Sequence, residues 1–254
     1  MKYALKTDTG KVRQHNEDSG GVFTKGEHFL AIVADGMGGH KAGDVASSKS
    51  VSLLNEKWKD TDLGEVDTPE KAEKWLLDAV EDTNQRLFQH AKENKECDGM
   101  GTTLVAAICT PASVSLLHIG DSRCYLLKQG SLTKMTEDHT LVNELVRSGQ
   151  LSEDEAENHP RKHWILRALG TEETINVDLL SFTWEKGDVV LLCSDGLSNK
   201  VSRETMEEML NNDQLTIHEQ VERLVSLANE AGGEDNITIV LISNDREEQE
   251  REAK

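Results

Sequence analysis

The sequence predicts an α+β chain in which antiparallel sheets are flanked by helices, and two observations carry that prediction. Its aliphatic runs are short and strand-like, at residues 29–34, 103–109, 114–119, 124–127, 189–193 and 237–242. Two long helical patterns separate the first run from the second, shorter ones precede the last, and the middle strands follow one another through tight turns. Those turns leave no room for the crossover helix that a doubly wound parallel sheet requires.

The elements can be justified in chain order. A helix over 44–58 opens after Gly43. A second, over 70–94, sets Ala72, Trp75, Leu76, Ala79, Val80, Leu87 and Phe88 on one stripe. Residues 138–170 are helical but less aliphatic, with Asn158-His159-Pro160 in the middle. A late helix has a capping box of Thr216 with Glu219, continues through Val221, Leu224, Val225 and Ala228, and stops at Gly232-Gly233. Because the aliphatic runs are spread along the chain and no long polar linker divides them, residues 1–244 read as one domain. The almost wholly polar residues 245–254 read as a frayed, disordered tail.

Composition removes several functions. Lys and Arg number 28 against 47 Asp and Glu, a formal charge of -19, and such a surface repels nucleic acid and anionic lipid. Residues 1–10 carry no apolar leader, and the longest uncharged apolar runs are far too short to insert into a bilayer. A cytoplasmic protein is the expectation, and Cys109, Cys124 and Cys193, within aliphatic runs and without CxxC or zinc spacing, are read as buried free thiols.

Most acids serve solubility, but a few sit where solubility does not need them. The run at 29–34 leads into Asp35-Gly36, the run at 189–193 passes through Ser194 into Asp195-Gly196, and the run at 115–119 leads into Gly120-Asp121. Asp235 immediately precedes the run at 237–242. One Asp-Gly would be an ordinary turn. Four acids at strand ends suggest a shared site, and carboxylates so near a core need a positive partner. No basic residue adjoins Asp35, Asp195 or Asp235 in the sequence, and oxygen-only ligands suit Mg²⁺ or Mn²⁺. No EF-hand loop is present. For Asp121, a salt bridge to its neighbour Arg123 is the competing explanation.

In this order, Arg13-Gln14-His15-Asn16-Glu17-Asp18, Asp35-Gly36-Met37-Gly38-Gly39-His40, Gly99-Met100-Gly101-Thr102-Thr103, Ile119-Gly120-Asp121-Ser122-Arg123, Cys193-Ser194-Asp195-Gly196 and Gly233-Glu234-Asp235-Asn236 resemble the motifs of the type 2C (PPM family) protein phosphatases. More narrowly, the chain looks like a bacterial, bacillus-type member, over residues 4–242. The resemblance implies a four-layer αββα β-sandwich with helices on both outer faces and a two-metal site at one end. It implies that Asp35 bridges two ions (Mn²⁺ or Mg²⁺), that the Gly36 carbonyl binds one, and that Asp195 and Asp235 complete the other. Glu17 and Asp18 would hold waters of the ions, and Asp121 would join Asp195 around a third ion. Substrates would be phosphoserine and phosphothreonine in proteins, with a cognate Ser/Thr kinase as the opposing partner and a monomer as the working form.

The chemistry agrees without the family. Two ions about 4 Å apart can make a shared water acidic enough to yield hydroxide at neutral pH, and in-line attack on phosphorus then needs no phosphoenzyme. Arg13 would clamp phosphoryl oxygens with its planar fork; the alternative is a plain surface arginine. His40 is the candidate acid for the leaving alkoxide. Animal members place their histidine directly after Asp-Gly, where this chain has Met37, so packing or orientation of the metal loop is the alternative for His40. No Gly-Lys-Ser/Thr follows the glycines at 36–43, which excludes a P-loop. None of the cysteines has Arg six positions on, and Asp60-Thr61-Asp62 follows helical residues, so cysteine and aspartyl-phosphate mechanisms fail. Residues 138–170 would form a flap beside the catalytic mouth. Its acids (Glu153, Asp154, Glu155, Glu157) and bases (Arg161, Lys162, Arg167) form separate patches suited to charge flanking a phosphorylated residue, a solvated insertion being the alternative.

Overall fold

The computed structural model describes residues 1–38 and 42–245. Strands β1 (Lys2–Asp8), β2 (Asp18–Lys25) and β3 (His28–Met37) lead into helices α1 (Ala42–Asp60) and α2 (Pro69–Glu93). Strands β4 (Gly101–Thr102), β5 (Leu104–Cys109), β6 (Ser113–Ile119), β7 (Arg123–Lys128) and β8 (Ser131–Lys134) follow, then α3 (Leu141–Arg147) and α4 (Glu153–Glu157). The chain closes with β9 (Asp178–Thr183), β10 (Val189–Cys193), α5 (Asp195–Ser198), α6 (Arg203–Leu210), α7 (Ile217–Glu230) and β11 (Ile237–Ser243).

Every strand pairing is antiparallel, as expected. One sheet runs β1-β11-β10-β7-β8 and the other β2-β3-β5-β6-β9, with β4 attached to β3. Alternation along each strand sorts side chains into layers. Phe29, Ala31, Val33, Val105, Leu116, Leu126, Leu192 and Val240 meet between the sheets. Leu30, Ile32, Leu104, Ala106 and Leu117 face the other way, onto Leu54, Trp58, Trp75 and Leu76 of α1 and α2. Leu191, Cys193, Ile239 and Leu241 face Met206, Leu210, Val221 and Leu224 of α6 and α7. The four layers are helix, sheet, sheet, helix.

Local chemistry explains the helices. Thr68 caps α2 and Pro69 starts it, and the predicted stripe is buried except Phe88, which lies half-buried under the Lys92 ammonium. The capping box of α7 forms as read, with Thr216 and Glu219 exchanging bonds. Small residues line the buried face of α1, namely Ala42, Gly43, Ala46, Ser47 and Ser50, so its N-terminal turn approaches the sheet closely.

Five strands escape the sequence reading, the two-residue β4 among them. β1 (KYALKTD) and β2 (DSGGVFTK) are broken by charges and glycines, β8 holds a single buried residue, and β9 is a half-exposed edge. Partners across the ladder decide these strands, because a weak β former pairs readily where a strong neighbour offers its edge. The three buried cysteines are free thiols as expected, and Cys97 joins them. Among the described residues no helix is long and apolar enough to cross a membrane.

Candidate active site

The candidate carboxylates meet where the two sheets end together, although they reach that point by different routes. Asp18 opens β2 and stands opposite Asp35 across the ladder. Asp35 is not at a strand end as expected: β3 continues to Met37 because Gly36 and Met37 pair with β4. Asp195 begins α5 after Ser194, and Asp235 lies in the turn before β11. Asp121 sits in the 120–122 turn, where the chain leaves β6 in one sheet for β7 in the other. Gly120 adopts φ of 105°, a conformation that favours glycine.

Burial and mutual repulsion dominate the electrostatics. Burial pushes the Asp35 carboxyl well above the ordinary range, and Asp18, Asp195, Asp121 and Asp235 push it further. Asp18 rises to about 7, through burial first and in spite of a hydrogen bond from Ser194. Asp121 also rises to about 7, through burial and then Asp195 and Asp138. Asp195 is raised by burial and Asp235, and its carboxyl lies within hydrogen-bond reach of Asp35. Two carboxyl groups can be so close only with a shared proton or a cation between them. Glu17 is raised by burial and by Asp44 and Asp235, against the pull of Arg13.

A scaffold of hydroxyls and amides holds the acids in place. Ser194 Oγ donates to Asp18 Oδ2 at 2.7 Å and accepts from the Thr238 backbone N–H. Thr103 Oγ1 accepts from the Asp35 N–H at 3.1 Å and lies 2.7 Å from Ser122 Oγ, which ties β3 to the turn bearing Asp121. Thr102 Oγ1 donates to the Asp35 carbonyl, and Asn236 Oδ1 accepts from the Glu17 N–H. Sequence reasoning did not assign Thr102, Thr103, Ser122, Ser194 or Asn236. Their signal was readable: a small hydroxyl or amide stands next to an aspartate, or in a quoted motif, each time.

The structure decides two points that the sequence left open. Asp121 does not pair with Arg123, whose guanidinium is taken bidentately by Asp138 at 2.6–3.1 Å. A basic residue does reach one of the acids: Arg13 Nη2 donates to Asp235 Oδ2 at 2.8 Å. The pair spans 222 residues of sequence, so adjacency in the chain could not reveal it. Both side chains are more than a third exposed, so the pair adds little stability. His40 lies outside the described residues.

The arrangement fits divalent cations. Among the described residues, Asp18 Oδ1, Asp121 Oδ1 and Asp195 Oδ1 are buried without a hydrogen-bond partner, which is costly unless a water or ion meets them. The donors are all oxygen. A Cβ on Gly36 would come 2.1 Å from the Gly43 carbonyl and 2.6 Å from the Glu17 carbonyl, so only glycine allows this cradle. A second group, His118, His139 and Asp178, brings ligand-type atoms within 4.8 Å of one another beside Gly120.

The model of the protein phosphatase 2C family matches residues 9–239. The chain belongs to the protein phosphatase 2C family. It is a metal-dependent serine/threonine protein phosphatase of the PPM type. The serine/threonine phosphatase stp of Listeria monocytogenes is 45% identical over 254 residues, all of both chains, so the likeness covers site and scaffold together. The Streptococcus agalactiae serine/threonine phosphatase superposes with a TM-score of 0.88 at 36% identity, covering 94% of this chain and 98% of that one. The catalytic domain of the protein phosphatase PstP, solved in complex with two manganese ions, superposes at 0.79 with 39% identity, covering 94% of this chain and 96% of that one.

Proposed function

We propose that this type 2C phosphatase hydrolyses phosphoserine and phosphothreonine in proteins at a dinuclear centre held by Asp35, the Gly36 carbonyl, Asp195 and Asp235. The observation that carries the reading is the convergence of Asp18, Asp35, Asp121 and Asp195: burial suppresses the ionisation of all four, and Asp18, Asp121 and Asp195 each keep a buried oxygen without a partner. Mn²⁺ or Mg²⁺ suits the oxygen set, and the manganese complex of PstP supports Mn²⁺. Two divalent ions held by these residues would supply charge neutralisation of the cluster, polarisation of the phosphoryl group and a more acidic water.

The protein's own groups do the rest. The Asp35 backbone is held on both sides, its N–H by Thr103 and its carbonyl by Thr102, which fixes the point from which its carboxylate projects. Asp18, oriented by Ser194, and Glu17, just before β2, would accept hydrogen bonds from waters of the ions. Asp121, with Asp195, offers a place for a third ion at the turn between sheets. Arg13 hangs over Asp235 with much of its guanidinium free, and that fork suits two oxygens of a phosphoryl group. Protonation of the leaving alkoxide falls to His40 in this reading. The opposing activity is a Ser/Thr kinase, and the working form is a monomer.

Asp35→Asn tests the centre. The amide keeps the shape and loses the charge, so turnover should vanish at every Mn²⁺ concentration while circular dichroism stays unchanged. Near-normal turnover at saturating Mn²⁺ would remove the dinuclear reading.

A further inference from the structure

The His118–His139–Asp178 group could be taken for a cation site, and its hydrogen bonds speak against that. The Gly120 N–H donates to His139 Nδ1 at 3.1 Å, so Nδ1 carries the lone pair and Nε2 the proton. His139 Nε2 lies 3.2 Å from Asp178 Oδ2, a good acceptor for that proton. A metal at Nε2 would need the opposite tautomer, with Nδ1–H facing the Gly120 N–H. Arg167 Nη1 also lies 3.3 Å from His139 Nε2, which cannot accept from it once protonated, so its N–H goes to Asp178 Oδ1 at 3.4 Å, and a cation beside this guanidinium would be repelled.

The same bonds describe a clasp. His139 satisfies both backbone groups of Gly120: its ring accepts the Gly120 N–H, and its own N–H donates to the Gly120 carbonyl at 2.8 Å. His139 is 8% exposed, so solvent is a poor substitute for either bond. It also opens the 138–170 segment, whose two ends pair at Thr140 and Ile165. The Leu166 N–H donates to the His139 carbonyl and the Leu141 N–H to the Trp164 carbonyl. Asp178, on the edge strand β9, accepts from His139 at one end of the segment and Arg167 at the other.

We propose that His139 is a positioning residue, which holds the Gly120–Asp121 turn from the root of the 138–170 segment while Asp178 fixes its tautomer and ties both ends of the segment. The carboxylate aimed by the turn is the third-ion ligand, so the functional consequence rests on the reading above; the clasp itself does not. Its effect is to make the placement of Asp121 depend on the seating of the segment beside the mouth.

Ring ¹⁵N spectra of the folded wild-type protein should show His139 protonated at Nε2 alone, and protonation at Nδ1 overturns the proposal. In His139→Ala, the Gly120 amide should exchange with solvent roughly three- to tenfold faster. Mn²⁺ titration followed by calorimetry should show the weakest ion losing affinity by a similar factor, the two tighter ions being unaffected. His139→Asn, whose Oδ1 can replace Nδ1 as acceptor, should restore most of both. Unchanged Gly120 exchange in the alanine variant, or no rescue by asparagine, overturns the proposal. If the alanine variant does not fold, the wild-type tautomer and the asparagine variant decide. Should Asp121→Ala bind as many ions as wild type, the third-ion reading fails, and the tautomer and exchange data still decide the clasp.

Discussion

Asp121→Asn separates a metal ligand from a salt-bridge partner by the sign of its effect. Asp121 is 7% exposed, and its carboxyl rises from an ordinary 3.8 to about 7 through burial and then Asp195. A folded-state value above the unfolded one means stability that is fully present below about pH 4 and is lost as pH rises towards 7. A difference of roughly 3 units, at about 1.4 kcal/mol per unit, sets a ceiling of about 4 kcal/mol on that loss. The neighbouring acids relax once one of them is neutral, so the measured effect should be on the order of 1–2 kcal/mol. Without ions, in chelator, the asparagine variant should therefore be more stable than wild type at pH 8 and equal to it at pH 4. For a chain of this size the gain corresponds to a melting temperature higher by about 2–8 °C. With Mn²⁺ present, the order should reverse in function: two ions bind, the weak one is lost, and turnover drops sharply. Differential scanning calorimetry in chelator across pH 4–8 is the assay. A variant less stable than wild type at pH 8 would mean that Asp121 makes a favourable ionic contact, and the reasoning would be wrong.

Gly36→Ala would drive a methyl to within 2.1 Å of the Gly43 carbonyl, and backbone on both sides cannot yield, so turnover and about 1–3 kcal/mol of stability should go together; a variant with normal melting and turnover would contradict the cradle. Arg13→Ala should raise KM for a phosphothreonine peptide and shift Mn²⁺ affinity only slightly, because its pair with Asp235 is half exposed, and Lys should rescue little. A large change in ion binding would show that Arg13 belongs to the metal centre. Arg161 stacks on the exposed Trp164 at 4.4 Å and Lys162 is exposed beside it, so neutralising both should alter phosphoprotein turnover and spare p-nitrophenyl phosphate. Equal effects on the two substrates would assign the segment to support of the metal site.

The layered fold was legible because its strong strands and amphipathic helices announce themselves by period. Runs such as 104–109 and 237–242 bury on both faces, so their near-continuous apolar character survives any context. The aspartates were legible for a related reason: an acid set against such a run is too costly to be incidental. What the sequence could not supply is the pairing between distant segments. β1 and β2 contain too few strong β formers to be read alone, and they exist because β11 and β3 offer them edges. That β6 and β7 belong to different sheets, which turns a tight hairpin-like connection at 120–122 into a crossing and aims Asp121 into the site, depends on the twist and stacking of two sheets. The partners of Arg13, Arg123 and His139 likewise lie 222, 15 and 19 residues away along the chain. Composition and period act locally and are written in the sequence, whereas hydrogen bonds and ion pairs act over a few ångströms of space. Only the folded chain decides which residues share those ångströms.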